Sequence, residues 1–258
     1  DLMGTNAPGY SGSYQTWDYA TTELLYLGLN TQSGLCRAPE VRQAIARAID
    51  RTSIVQVDFA RHAVAAGLPV HPSSPLYNAA QAGTLGYSPQ QSQAALEQLR
   101  LTGRSVTLVV NTENTAKVSA AQRIAAQLEA VGLTVHLSRL SYDSYVSALA
   151  AGNFDLYLGQ VTLTGDFDLA PLLSSSGSLN YGRWQDALGD ALLSAFQSAQ
   201  GETRTKAASD LFAYLNQQAP IVPVCFKNGS VLTQWSRLSG LSPVRGNVFY
   251  QLENWKLS

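Results

Sequence analysis

The sequence predicts an α/β fold with a mixed, mostly parallel sheet flanked by helices. Two observations carry that prediction. Ser105–Val110 is a β-branched run, residues 118–131 place apolar side chains at helical spacing up to Gly132, and Thr134–Leu140 is again strand-like, which together spell a βαβ unit. A helix over Tyr142–Ala151, stopped by Gly152, and a strand from Phe154 to Gly159 continue the alternation. Parallel strands joined by helices need a sheet covered on both faces, so an α/β lobe follows from pattern alone.

The remaining elements follow in chain order. Asp1–Thr22 is rich in Gly, Ser, Thr, Asn and aromatic residues without clear period, and reads as loop with a weak strand. Leu24–Leu29 is a short apolar run ended by Asn30, Thr31, Gln32, Ser33 and Gly34, as in a buried strand followed by a turn. Pro39 then opens a helix: its missing N–H is harmless in a first turn, and Glu40 suits the positive end of the dipole. Val41, Ala44, Ile45, Ala48 and Ile49 form its apolar stripe, leaving Arg42, Gln43 and Arg47 for solvent. Asp50 can cap a second helix over Ser53–Ala60. Gly67–Gly86, with three prolines, reads as a long ordered loop, and Tyr87–Leu99 as a helix with Pro89 in its first turn. Helices over Asp186–Ala199 and Thr203–Gln218 flank Gly201. Ala219–Val224 enters a strand, Val231–Leu232 could pair back beside it, and Phe249, Tyr250, Leu252 and Trp255 form an aromatic, strand-like tail.

Composition narrows the function classes. The 258 residues are 45% hydrophobic and 14% charged with a net charge of -1, which gives no electrostatic case for nucleic acid or an anionic membrane surface. No apolar run approaches a bilayer-spanning length, and the start at Asp1 has neither a basic leader nor a lipidation cysteine, so the chain reads as mature, trimmed or excised. Cys36 and Cys225 suit no zinc spacing; two separate thiols and one disulfide both stay open. His62, His71 and His136 share no metal spacing, and His136 in mid-strand reads as a packed or surface histidine. No nucleophile elbow or phosphate-cradling loop is present, so neither catalysis, a metal nor a cofactor is expected.

The strand Tyr26-Leu-Gly-Leu-Asn30, a proline, and then Val41-Arg-Gln-Ala-Ile-Ala-Arg-Ala-Ile-Asp-Arg51 resemble the core signature of the extracellular solute-binding proteins serving oligopeptide, dipeptide and nickel ABC importers. Tyr87-Ser-Pro with its helix and Ala219-Pro-Ile-Val-Pro223 resemble further family segments, so that the likeness spans roughly residues 26–255. The resemblance implies a type II periplasmic-binding-protein lobe. Residues 1–25 would be a remnant of the first lobe and hinge entry, 26–225 the C-terminal ligand-binding lobe, and 226–258 return strands. Asp1-Leu2 would fit the family's step out of the first lobe, much of which would then be absent. Tyr26–Asn30 and Pro223–Cys225 would both lie at the edge facing the other lobe, close enough for Cys36 and Cys225 to be bonded.

The implied function is the substrate-binding component of an ABC importer, a monomer that traps a peptide or similar small solute and delivers it to membrane permease subunits. It would work outside the cytoplasm, lipid-anchored in its full-length form; the alternative is an effector-sensing domain of a transcriptional regulator. Chain leaving a strand's carboxyl end lies at the usual ligand crevice of an open α/β sheet, so Gln160, Thr162, Asp166 and Tyr181 are the expected ligand-facing residues. By resemblance, Asp166 is the nearest match to an aspartate that pairs with a peptide's amino terminus, with Asp168 next. Gln160 and Val161 stand where many peptide binders carry tryptophan. Asp166 also reads as the N-cap of a helix beginning near Asp168.

Overall fold

The computed structural model describes residues 2–5, 14–32, 34–234 and 237–257. Asp1, residues 6–13 of the opening segment and Ser33 of the first turn lie outside the described residues, so the readings made there stop short of them.

Strand β1 (Leu2–Thr5) and the long strand β2 (Tyr14–Leu29) lead through a 3₁₀ turn to α1 (Pro39–Ala48). The short α2 (Arg51–Ser53) continues as a π-helical turn over Ile54–Asp58, and β3 (Ala63–Ala65), α3 (Ala79–Gly83) and α4 (Pro89–Gln98) follow. The α/β core is β4 (Ser105–Asn111), α5 (Thr115–Ala130), β5 (Thr134–Leu140), α6 (Tyr142–Ala151) and β6 (Leu156–Thr162). The chain then forms α7 (Ala170–Leu173), α8 (Ala187–Ser198), α9 (Gly201–Gln218), β7 (Ile221–Gln234), β8 (Leu238–Ser239) and β9 (Lys256–Leu257).

Among the described residues, seven strands form one sheet in the order β1-β7-β2-β6-β4-β5, with β3 also on β7. The sheet is mixed as expected, but not mostly parallel. β4 is parallel to β5 and β6, whereas β2 is antiparallel to β6 and β7, and β7 is antiparallel to β1 and β3. The difference comes from two strands longer than their apolar cores: β2 and β7 pair over most of their length and outnumber the βαβ pairings. Residues 14–21 of β2 alternate between exposed and half-buried positions, a pattern hidden in sequence because both faces mix aromatic and polar residues. Likewise Ala219–Val224 and Val231–Leu232 belong to a single strand system, not to a strand and its return. The expected domain boundaries at 25/26 and 225/226 therefore fall inside β2 and β7.

Tyr26–Asn30 and Pro223–Cys225 lie on neighbouring strands in the sheet interior and are largely buried. One hydrophobic cluster joins Leu25, Leu27 and Leu29 to α1, α4 and α5, and the other joins Leu24, Tyr26 and Tyr157 to α6, α8 and α9. Tyr26 is registered opposite Gly159 and Tyr157 opposite Gly28. A Cβ at Gly28 would stand 2.1 Å from the Tyr157 ring and one at Gly159 2.4 Å from the Tyr26 ring. Each glycine thus gives a cross-strand tyrosine room to lie flat on the sheet.

Helix α1 is buried on more than its apolar stripe. Arg42, expected at the surface, is buried and donates to the carbonyls of Gln218, Cys36 and Arg37. Arg51 donates to those of Pro223, Ile49 and Leu85. The guanidinium fork is suited to ending such carbonyl clusters; Arg42 staples α1 to the end of α9, and Arg51 staples the start of α2 to β7. Asp50 caps α2 as expected, its side chain accepting from Ser53 N at 3.0 Å. Cys36 and Cys225 are free thiols, both fully buried, so the disulfide is not made; burial pushes each thiol up to about 12. Near the end of the chain Phe249, Tyr250 and Leu252 sit in turns and a 3₁₀ segment, and only Lys256–Leu257 is strand, paired with β8. Turn geometry and the Phe249–Trp255 ring contact replace the strand expected there.

Candidate functional site

The chain leaves β4 for β5 on one side and returns to β6 on the other, so the connections at the carboxyl end of β4 diverge. Side chains of α5 belong to one hydrophobic cluster and those of α6 to the other, which places the two crossover helices on opposite faces. Such a switch point leaves a crevice in an open α/β sheet. Here the gap widens because β4 and β6 pair only at Leu108–Leu156 and Val109–Tyr157. Beyond that point the Tyr145 hydroxyl, from α6, donates to Leu158 O at 2.9 Å.

The resulting open crevice, of about 240 Å³, is lined by Glu23, Asn111, Asn114, Lys117, Tyr142, Gln160, Val161 and Thr162. Its groups form a chain of side-chain hydrogen bonds. Asn114 caps α5 by accepting from Lys117 N at 3.1 Å, and its amide donates to Gln160 Oε1 at 3.3 Å. Gln160 Nε2 donates to Glu23, which also pairs with Lys227 Nζ at 3.3 Å. On the other wall Lys117 Nζ donates to Asn111 Oδ1 at 2.6 Å and lies 4.8 Å from the centre of the Tyr145 ring. Asn111 Nδ2 donates to Glu113, whose other oxygen accepts from Tyr142 N.

Electrostatics divide these walls. Lys117 is only 5% exposed, and desolvation pushes its amine down to about 8 against the attraction of Glu113. The Glu113 carboxyl is held below its ordinary value by the Asn111 amide first and by Tyr142 N–H second. A larger surface groove, about 460 Å³, runs past Tyr87, Pro89 and the outer face of α5. Arg123, its charged lining residue, is already paired with Asp58 at 2.6 Å, whereas the polar side chains of the strand-end crevice bond mainly to one another.

Of the residues expected to face ligand, Gln160 and Thr162 are brought together in the crevice. Asp166 lies on the loop after β6 with its carboxylate largely exposed, 3.9 Å from Arg204 Nη2, which donates to Asp166 O. The Thr164 hydroxyl is the main cause holding its carboxyl below the ordinary value, with Arg204 a smaller one. Asp166 caps no helix; Asp168 accepts from Ala170 N at 2.9 Å instead. Tyr181 is elsewhere. Its ring packs on Tyr157, and the next residue, Gly182, receives the N–H of Thr31 beside the start of β6, at the opposite end of that strand from Thr162.

Glu23, Asn111, Glu113, Asn114, Lys117 and Lys227 were not singled out by sequence. The run Asn111-Thr-Glu-Asn114 directly after a strand of the βαβ unit could have been, since it falls where the connections diverge. Glu23 and Lys227 are 204 positions apart and meet only through the β2–β7 register. His136 is exposed on β5, and among the described residues no three or more His, Cys, Asp or Glu gather where a metal ion could sit.

With this geometry in place, likeness to known proteins is informative. A curated relative, the probable ABC transporter periplasmic-binding protein SapA of Escherichia coli (strain K12), is 29% identical over 210 residues, covering 77% of this chain and 38% of the relative. The probable di/tripeptide-binding protein 5 of Pseudomonas aeruginosa (strain UCBPP-PA14) is 26% identical over 221 residues, covering 81% and 41%. This chain therefore spans well under half the length of these relatives. Among solved structures, the oligopeptide-binding protein AppA from Bacillus subtilis, in complex with a nonapeptide, superposes with a TM-score of 0.77 at 20% identity, covering all of this chain and 56% of that one. NikZ from Campylobacter jejuni, in complex with Ni(L-His), does so at 0.74 and 17%, covering 96% and 54%. These structural likenesses establish the shared α/β fold. The family model for the middle part of bacterial extracellular solute-binding proteins, family 5, matches residues 6–181, more than half of the chain, and this chain belongs to that family.

Proposed function

We propose that this chain supplies one wall of a two-lobed ligand clamp, the substrate-binding component of an ABC importer for a peptide or similar small solute. The observation that carries this is the crevice at the carboxyl ends of β4 and β6, lined by polar side chains from β2, β4, α5 and β6 and open on one side. A clamp distributes contacts over two walls and excludes water on closure, so a single wall remains hydrated and shallow. Gln160 and Thr162 contact the ligand directly, together with Asn114 and Lys117. Asp166, exposed on the next loop, receives a ligand ammonium in place of its long contact to Arg204. The full-length protein acts as a monomer outside the cytoplasm, held by a lipid anchor, and hands its closed form to permease subunits. The outer halves of β2 and β7 continue toward the second lobe.

The test is calorimetric titration of full-length protein with the ligand identified by native mass spectrometry of gently purified material. Asp166→Asn removes a charge while keeping shape, and loss of a charge-assisted hydrogen bond weakens binding by roughly ten- to a hundredfold. Gln160→Ala is expected to weaken it as well. Unchanged affinity in both variants would mean that the ligand lies elsewhere.

A further inference from the structure

Where β2 and β7 leave the lobe, their pairing is interrupted. The register passes from Ala20–Asn228 directly to Glu23–Lys227, leaving Thr21 and Thr22 as extra residues on β2. Both threonines fasten the bulge through their hydroxyls: Thr21 donates to Lys227 O and accepts from Glu23 N, and Thr22 donates to Leu163 O and accepts from Arg245. The two hydrophobic clusters stop at Leu24 and Phe226. Beyond them the β2–β7 ribbon is held by strand pairing and by side chains such as Trp17, whose indole donates to Thr233. A bulge concentrates bending at one place in a ladder, and this one has the packed lobe on one side and the three strands β1, β7 and β2 on the other.

A side-chain cluster spans that break. Asp18, on the ribbon side of the bulge, accepts from the Ser230 hydroxyl at 2.7 Å and from His62 Nδ1 at 2.9 Å. His62 belongs to the lobe. It ends the turn after the π-helical segment, where Ala60 and Arg61 both have positive φ, at 47° and 69°. Its carbonyl accepts from Asn228 N at 2.9 Å, and β3 begins at the next residue. Two consecutive left-handed non-glycine residues are costly, and their effect here is to turn the imidazole back onto the ribbon. The charged groups around it are Asp18 from β2, Lys227 from β7, whose ammonium is paired with Glu23, and its own neighbour Arg61. Asn228 and Ser230 contribute neutral groups.

We propose that the His62–Asp18 contact is a protonation-sensitive latch across the β2–β7 bulge, stiffening the ribbon against the lobe when His62 carries a charge. The contact exists with neutral imidazole as an N–H donor to carboxylate, and protonation converts it into an ion pair. Both side chains are about a quarter exposed, so the gain is that of a partly screened pair, a two- to fivefold change in the opening equilibrium, roughly. On the two-lobed reading above, this bulge is the hinge, and the latch ties ligand capture to external pH. Glu23 stands next to the bulge and also lines the crevice.

Hydrogen exchange of the chain followed by mass spectrometry, corrected for the intrinsic pH dependence of exchange, tests this. Protection of residues 14–20 and 228–234 should rise about two- to fivefold from pH 8 to pH 5 relative to residues 105–111 in β4. His62→Gln and Asp18→Asn, both close in shape, should each abolish that rise while the β4 peptides remain protected. A wild-type ribbon with no pH response, or an equal response in the variants, would overturn the latch. No ligand or permease enters the measurement, so its outcome is separate from that of the importer reading.

Discussion

The two ends of β6 are built on opposite plans. At its start the polar groups are matched to backbone: Asn30 Nδ2 donates to the carbonyls of Gly152 and Phe154, and Asn30 N to Asp155 O. Asp155 accepts in turn from Thr107 N at 2.8 Å, and Thr31 donates twice to Gly182 O. At its finish, side chains bond other side chains, and the crevice stays open. Backbone partners cannot leave without unfolding the chain, whereas side-chain partners can be exchanged for a ligand's groups. Polar residues can therefore serve stability at one end and remain available for binding at the other.

The largest effect should come from breaking the closed end. Asn30→Ala strands two carbonyls and removes the acceptor of Gln32 N, at a site only 1% exposed. It is expected to cost roughly 2–4 kcal/mol in denaturant unfolding. A loss below about 0.5 kcal/mol would remove the contrast between the ends.

Lys117→Met probes the open end, with a smaller expected effect. The ammonium is buried against a carboxamide and a ring with no carboxylate in hydrogen-bond contact, so exchange for an apolar side chain of similar length should leave stability at pH 7 within about 1 kcal/mol of wild type or raise it. A pH series sharpens this. Lys117 releases its proton near pH 8 in the fold and about 10.5 when unfolded, so between those values the unfolded state binds more protons and stability rises with pH. The variant should lose this rise, and a slope equal to that of wild type would place the uncharged amine elsewhere.

The smallest change in stability is expected for Thr162→Ala. Thr162 is exposed at the end of β6, so unfolding should shift by less than about 0.5 kcal/mol. Full-length protein carrying the substitution should nonetheless bind its ligand less tightly in calorimetry. Stability lost without affinity would assign Thr162 to the fold instead of the site.

Much of the lobe was legible because its signals are local. The helix opened by Pro39, the Asp50 cap, the strand Thr134–Leu140 and the helix Tyr142–Ala151 with left-handed Gly152 at its end all depend on residues within a turn or two of one another. Asn30 reads in sequence as a strand terminator and as the last residue of the Tyr26–Asn30 motif, but its physical role needs the carbonyls of Gly152 and Phe154 beside it.

What the sequence by itself determined is the α/β order of elements, the βαβ unit and the position of Gln160 and Thr162 at a strand's carboxyl end, since hydrophobic period and capping act over short distances. Tertiary structure decided the rest. The predominance of antiparallel pairing, the burial of Arg42, the separation of Tyr181 from the crevice and the meeting of Glu23 with Lys227 all depend on which strands become neighbours. That choice is made by packing two apolar clusters against opposite faces of one sheet, and no window of sequence contains both.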